Sequence, residues 1–564
     1  MNTHARLAAS LAVLTATGFL GGTVALGLLA PSSAGEPSTG AAAAAGTTGI
    51  TAEQALAENA EAVPGETAYD AASATTVTLA GTTATASGSG VDVAGATVTI
   101  TAPGTYVLSG VLAGQVVVDS SADGTVQLVL SDATIRSTTG AAIAVTQASR
   151  AVVVLADATT NTLASAATFA DTTSEDAPNA ALFSMADLTV GGDGALVVEA
   201  PSLDGIASKD ALVLSGGTLT VDAADDGVRG KDSLVVTGGS LQVTAGGDAL
   251  KADNETEPDR GYIAISGGSV AFSAGGDGLA AATDVIITDG TVTGTSGGGA
   301  GASLASDVSA KGLKAGVNLV VGGGTVAVDA ADDALHSNSV VSLTGGTVTA
   351  ASGDDGVHGD GDVTIAGGTL TITASYEGIE GANVTLSGGE TSITSADDGV
   401  NVSADGGSML LTISGGKLTI DAQGDGLDSN GDAQMSGGTV IVYGPTGNGN
   451  GALDANAFTV TGGELFAVGS AGMAEAPAAS GQGWVQANIS GQAGTRISVS
   501  DGTTVLADVI AAKAFGNVVY SAAPVRDGAA YTLTAGDTSV TATAGQATWG
   551  GMGGMGGRGG GPRG

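Results

Sequence analysis

Cysteine is absent from the chain. That excludes a disulfide framework, a thiolate zinc site and a lipid anchor on an N-terminal cysteine, and leaves packing, backbone ladders and hard metal ions to supply stability. Aromatic residues make up only 3% of the sequence while glycine contributes 96 of 564 residues, so a wide globular core is excluded and a narrow one, extended along an axis, fits better. Basic residues are also scarce, 16 against 56 acidic ones, for a formal charge of −40. Nucleic acid and anionic membrane surfaces are poor partners for such a field, and divalent cations are good ones. Hydrophobic residues are nevertheless 43% of the chain, which excludes disorder throughout.

At the N-terminus Arg6 precedes an apolar run from Leu7 to Ala30, then Pro31-Ser32-Ser33-Ala34. Residues 1–34 are expected to be a signal peptide or, since the run is long enough to cross a bilayer, an uncleaved anchor. The protein is therefore expected outside the cell or on its surface, as a monomer, touching membrane only through that segment. Residues 35–74, rich in Ala, Gly, Thr and Glu, read as a flexible linker with a short helix around 53–62. Residues 550–564 are nearly all glycine and are expected to be disordered.

The dominant signal is a repeat. Asp204-Gly205-Ile206, Asp226-Gly227-Val228 and Asp248-Ala249-Leu250 follow one another in steps of 22, as do Lys311-Gly312-Leu313, Asp333-Ala334-Leu335, Asp355-Gly356-Val357 and Glu377-Gly378-Ile379. Asp277, Asp398 and Asp425 head further triplets after small changes of spacing. Inside each unit the apolar residues alternate, as in Leu212, Leu214, Leu219 and Val221, with Gly216-Gly217 between the two runs. Period two means strand, and two clear strands with a third short one per unit describe a coil. The fold predicted is all-β, a right-handed parallel β-helix over residues 75–470 with about 22 residues per coil and coils ~4.8 Å apart, followed by a β cap over 471–549 that protects the open end. Asn161, just past a strand, is expected to open an asparagine ladder, and Ser296–Asp307 to be a degenerate or looped-out coil.

Stacking turns the triplets into columns. The acidic column and its doublets hold Asp225, Asp226, Asp332, Asp333, Asp354, Asp355, Glu377, Asp397, Asp398 and Asp425. Carboxylates aligned ~5 Å apart repel one another, and calcium, which takes six to eight oxygens, is the natural compensation; Glu380 and Asp428 are added as ligands from the next column. A solvated row of turn-capping aspartates is the bland alternative. Three residues on, alternation turns a second column outward: Arg229, Lys251, Lys314, His336, His358, Glu380, Asn401 and Asp428. With Lys231 and Lys311 its basic members form either a strip for carboxylated sugars or a salt-bridge ladder that neutralises the acidic column.

Several stretches resemble a known family: Gly104-Thr105-Tyr106-Val107-Leu108-Ser109-Gly110, Asp204-Gly205-Ile206-Ala207-Ser208-Lys209-Asp210, Gly312-Leu313-Lys314-Ala315-Gly316, Tyr376-Glu377-Gly378-Ile379-Glu380-Gly381, and Gly424-Asp425-Gly426-Leu427-Asp428-Ser429-Asn430-Gly431. They look like the bacterial carbohydrate-binding β-helix family typified by cellulose- and pectin-binding proteins. The resemblance spans roughly residues 75–470 and implies binding of acidic sugars and cellulose, bound calcium, and kinship in fold with pectate-lyase-like helices. It assigns no residue. The leading functional expectation is thus a non-catalytic extracellular protein that recognises an acidic, polygalacturonate-like polysaccharide or cellulose with calcium. A calcium-dependent polysaccharide lyase, using Lys311 or Lys314 as base, and a structural or adhesion stalk are the alternatives. Scarce tryptophan weighs against cellulose, whose flat faces call for exposed aromatics.

Overall fold

The computed structural model describes residues 49–548, apart from 171–173, 175, 306, 307 and 405. The expected signal peptide or anchor over 1–34, the first part of the expected linker and the glycine tail lie outside the described residues. Among the described residues no helix is long and apolar enough to cross a membrane.

The chain winds into a right-handed parallel β-solenoid of about 15 turns. A representative coil contains the short strand Leu335–Ser337, the middle strand Val340–Leu343 and the long strand Thr347–Ser352. Each pairs in parallel with its equivalent one coil away, Leu335 with Val357, Val341 with Val363 and Val348 with Leu370. The alternation seen in the sequence is what makes this possible. Thr325–Ala330 and Thr218–Ala223 bury every second residue, so Leu219, Val221, Val326 and Val328 enter the core while their neighbours face out. Inward residues stack in unbroken files. One runs from Leu212 through Leu234, Ile263, Val285, Leu319, Val341 and Val363 to Val384, each in register with the next. A single coil offers its core nothing to pack against, and the stack supplies it.

Glycine pairs make the corner between middle and long strands. Gly346 and Gly368 have φ of +74° and +75°, and a Cβ on Gly368 would sit 2.6 Å from backbone atoms of Gly345 one coil earlier. The corner thus requires both a left-handed conformation and the absence of a side chain.

The first coils carry two antiparallel hairpins, Thr75–Gly81 with Ala84–Ala86 and Val91–Ala94 with Thr97–Ile100. At the other end Glu464–Gly469 pairs antiparallel with Phe515–Ser521, which pairs antiparallel with Trp484–Gly491. A four-stranded antiparallel sheet packs Ile497, Val499, Tyr531 and Leu533 into one core with Phe466, Val485 and Tyr520 of these strands. Residues 253–261 and 297–305 loop out without breaking the register of Leu250, Leu279 and Leu313. The asparagine ladder expected from Asn161 does not form, because its neighbours in register are Ala133 and Leu196; its side chain instead caps the Ala133 N–H at 2.9 Å and donates to the Ala195 carbonyl.

Residues 49–74 differ from the flexible linker expected of them. The helix Ala52–Glu58 opens with a capping box from Thr51 and Gln54, and buries Ala52 and Ala55 against Ile286 and Val320. The chain then runs back along the solenoid: Ala60 donates its N–H to the Asp259 carbonyl, Gly65 to Thr189 Oγ1, and Gln127 donates to the carbonyls of Glu66 and Ala68. This strap covers the outer face of the middle strands, which explains why Ile286, Val320 and Val152, all pointing away from the core, are fully buried. Middle strands such as Val285-Ile286-Ile287 are apolar at both parities for this reason.

Gly368→Ala is expected to lower stability by at least about 1 kcal/mol, because it adds both strain and a backbone clash. Gly407→Ala, at φ +101° with open space around the new Cβ, should cost less. Urea unfolding of the two variants checks the difference.

Candidate functional site: two polar columns

Register places the outward residues of the short strands in one continuous line: Arg229, Lys251, Ala280, Lys314, His336, His358, Glu380, Asn401, Asp428 and Asp454. Three residues earlier in each coil runs the acidic column, with Lys311 standing in the place of one aspartate. The two columns face each other across the last turn of each coil.

The recurring aspartate has a backbone task. Asp226 Oδ1 accepts the Asp248 N–H at 2.9 Å, Asp248 Oδ1 the Asp277 N–H at 2.8 Å, and Asp277 Oδ1 the Lys311 N–H at 2.7 Å. Asp333 and Asp398 do the same for Asp355 and Asp425, at 3.0 and 2.6 Å. Each carboxylate caps the equivalent amide of the following coil, where the chain turns and no strand partner exists. An aspartate in a turn is expected to cap its own backbone; here the partner lies one coil on. Glycine precedes several of these aspartates because a Cβ at Gly247, Gly276 or Gly424 would collide with the carboxylate folding over it.

The second oxygen meets the outward column. Lys251 Nζ lies 3.0 Å from Asp226 and 2.9 Å from Asp248, Lys314 Nζ 3.3 Å from Asp277, and Lys311 Nζ 2.6 Å from Asp333 and 3.1 Å from Asp332. Arg229 is forked onto Asp253 and reaches Asp204 at 3.7 Å. His336 Nδ1 is 2.8 Å from Asp333, and His358 Nδ1 is 2.7 Å from Asp355 and 3.2 Å from Glu380. Arg229, Lys251, Lys311, Lys314, His336 and His358 are thus brought together with the acidic column. Lys231 forms no ion pair among the described residues, and Asp225 and Asp354 flank the column at the exposed side.

Compensation stops toward the C-terminal end. Asp397, Asp398, Asp425, Asp428 and Asp454 have no cation partner among the described residues. Glu377 accepts from Asn401 Nδ2 at 2.7 Å, while the buried Asn401 Oδ1 has no hydrogen-bond partner. Burial, reinforced by neighbouring carboxylates, pushes Asp398 and Asp428 up to about 7, and Glu475 rises for the same reasons beside Asp454 and Asp425. Asp204 also rises to about 7, by burial and the charge of Asp226, against the pull of Arg229. Burial opposes charge on His358, but Asp355 and Glu380 overcome it and hold the imidazole at about 11. Beside the column lies an open groove of about 850 Å³ lined by His358, Asp360, Glu380, Ser403, Met409 and Asn430 among others. Asp253, Asp454, Glu475 and the orphan Asn401 oxygen were not singled out from sequence. Asp454 carried a signal, a spacing of 26 from Asp428 that one small insertion explains.

A solenoid whose coils stack like residues into two charged lines beside a groove belongs to the parallel β-helix class. Residues 94–356 and 354–511 match the family described as carbohydrate-binding domain-containing protein, and the chain belongs to that family. A carbohydrate-binding domain-containing protein of Acetivibrio thermocellus is 34% identical over 123 residues, 22% of this chain and 43% of that relative. The chain therefore spans less than half the length of the curated relative it matches. The structure of the polysaccharide lyase-like protein from C. thermocellum, a gadolinium derivative, is 29% identical with a TM-score of 0.36, over 46% of this chain and 96% of that one.

Two outcomes follow from this geometry. Asp333→Ala leaves the Asp355 amide and His336 Nδ1 without their partner at a nearly buried position and leaves Lys311 with Asp332 alone, and should cost about 3–5 kcal/mol; Asp333→Asn, which keeps the amide cap, should cost less, as read by urea unfolding. In chelator, thermal stability should rise as pH falls from about 8 to about 5. Asp204, Asp398 and Asp428 bind protons more tightly folded than unfolded, so their contribution is present at low pH and lost as pH rises from 3.8 toward about 7. His358 acts in the same direction between 6.5 and about 11. Glu380, held down to about 2 by the hydrogen bond from His358, opposes them only below its unfolded value.

Proposed function

We propose that this protein binds an acidic polysaccharide, of polygalacturonate type, through calcium held at the C-terminal end of the two columns, and that it does so outside the cell without cleaving the chain. The observation that carries this reading is the break in charge compensation: among the described residues, cations pair the column from Arg229 to His358 and none pairs Asp397, Asp398, Asp425, Asp428 or Asp454, beside the open groove. The donors there suit calcium. Asp397, Asp398, Asp425 and Asp428 supply hard oxygens, Glu377 another, and the orphan Asn401 Oδ1 is a neutral oxygen in want of a partner. Calcium would neutralise these carboxylates and offer remaining coordination positions to sugar carboxylates and hydroxyls.

Family membership supports carbohydrate as the ligand class. The basic residues expected as a sugar-binding strip are largely committed to aspartates, so Arg229, Lys251, Lys314 and the histidines would border the path of the chain, and Lys231 alone of that set offers an unpaired cation. The commitment of the lysines also weighs against a lyase: burial would lower Lys311, but Asp333 and Asp332 raise it, which disables it as a base at neutral pH.

The test is binding to polygalacturonate and to cellulose with calcium and with chelator, following the absorbance of unsaturated products in the same tubes. Retention on polygalacturonate that chelator abolishes, without new absorbance, is expected, and the double variant Asp398→Asn, Asp428→Asn should abolish it too. Binding indifferent to chelator sinks the calcium reading, and product absorbance sinks the non-catalytic one.

A further inference from the structure

Three histidines occur in the chain, and two of them, His336 and His358, stack one coil apart with ring centroids 5.0 Å from each other. Their surroundings differ. Asp333, facing His336, is saturated: it caps the Asp355 amide and receives both Lys311 and His336. His358 Nδ1 instead faces two carboxylates at once, Asp355 Oδ2 at 2.7 Å and Glu380 Oε2 at 3.2 Å. One N–H cannot serve both well. The three ligand atoms converge, all within 4.8 Å of one another.

We infer that Asp355, His358 and Glu380 form a three-ligand site for one zinc-class divalent cation, with its fourth position open to the groove. Bonds of ~2.0–2.2 Å in a tetrahedron put ligand atoms roughly 3.3–3.6 Å apart, so the side chains need to spread by only a few tenths of an ångström to about one. The next layer of contacts is in place. Asp360 Oδ1 lies 3.2 Å from His358 Nε2, placed to accept its N–H once Nδ1 has exchanged its proton for the metal, and Ser403 Oγ donates to Glu380 Oε1 at 2.7 Å. Such carboxylate–histidine pairs orient metal-bound imidazoles. An imidazole nitrogen suits zinc, copper or nickel and not calcium, which takes oxygen. His358 and Glu380 both line the groove, so the open position faces the space where a sugar hydroxyl or carboxylate would approach. This site shares no residue with the oxygen-only cluster from Asp397 to Asp428.

The experiment titrates the full-length, chelator-stripped protein with zinc alone, by calorimetry, in excess calcium, and repeats the uptake with cobalt to read its visible d–d bands. One equivalent that calcium does not displace, with the intense absorption of a tetrahedral cobalt site, is expected. H358Q and E380Q should each weaken uptake by at least the ~10–100-fold that loss of an outer-layer partner costs, and H336Q should not. H358K keeps a cation against Asp355 as Lys251 and Lys314 do in their coils, so it should fold normally and still lose zinc. No uptake by the wild type, displacement by calcium, or full uptake by H358Q and H358K overturns the site. Calcium-dependent retention on polygalacturonate is measured on the same variants: it should persist in H358K, so the zinc site and the calcium-bridged reading stand or fall separately.

Discussion

Parallel stacking in register is the constraint from which the rest of this molecule follows. Ladder hydrogen bonds hold equivalent residues of neighbouring coils about 4.8 Å apart, so whatever sits at one position of the repeat is forced to live beside its copies. For Leu and Val this is a benefit, since each inward file becomes a continuous apolar thread. For a charged residue it is a liability. The aspartates Asp226, Asp248, Asp277 and Asp333 tolerate it because each uses one oxygen to cap the amide of the next coil and gives the other to a cation.

That division of labour makes the face polar in a directional way. Near Arg229 and Lys251 every buried carboxylate has a positive partner, and the local field is close to balanced. Past His358 the outward column changes to Glu380, Asn401, Asp428 and Asp454, while the inner column stays acidic through Glu377, Asp398 and Asp425. The backbone requirement for a capping carboxylate persists after the supply of cations ends. Negative charge therefore accumulates at one place for reasons internal to the fold, and a binding function can draw on it without any special loop.

The solenoid and both columns were legible in the sequence because each repeats, and repetition with a fixed step reads as stacking. The two-way use of each aspartate was not, since whether a side chain caps its own turn or the next coil depends on how closely coils approach at Gly247, Gly276 and Gly424. Partners from insertions, such as Asp253 for Arg229, break the period and escape any reading based on it. The strap was missed for a similar reason. Residues 49–74 carry no repeat of their own, and the mark of their placement sits elsewhere, in middle strands such as Leu319-Val320-Val321 that are apolar on both sides and so call for a second cover.

The strap also sets an order of events. Its residues leave the ribosome before any coil exists, yet the surfaces they dock on, Ile286 and Val320 and the carbonyl of Asp259, come from chain made more than 190 residues later. The first part of the described molecule to be synthesised must wait, extended and unsatisfied, while the coils assemble behind it. The docking of its helix is a latch, closed only over coils in the middle of the solenoid that have already formed.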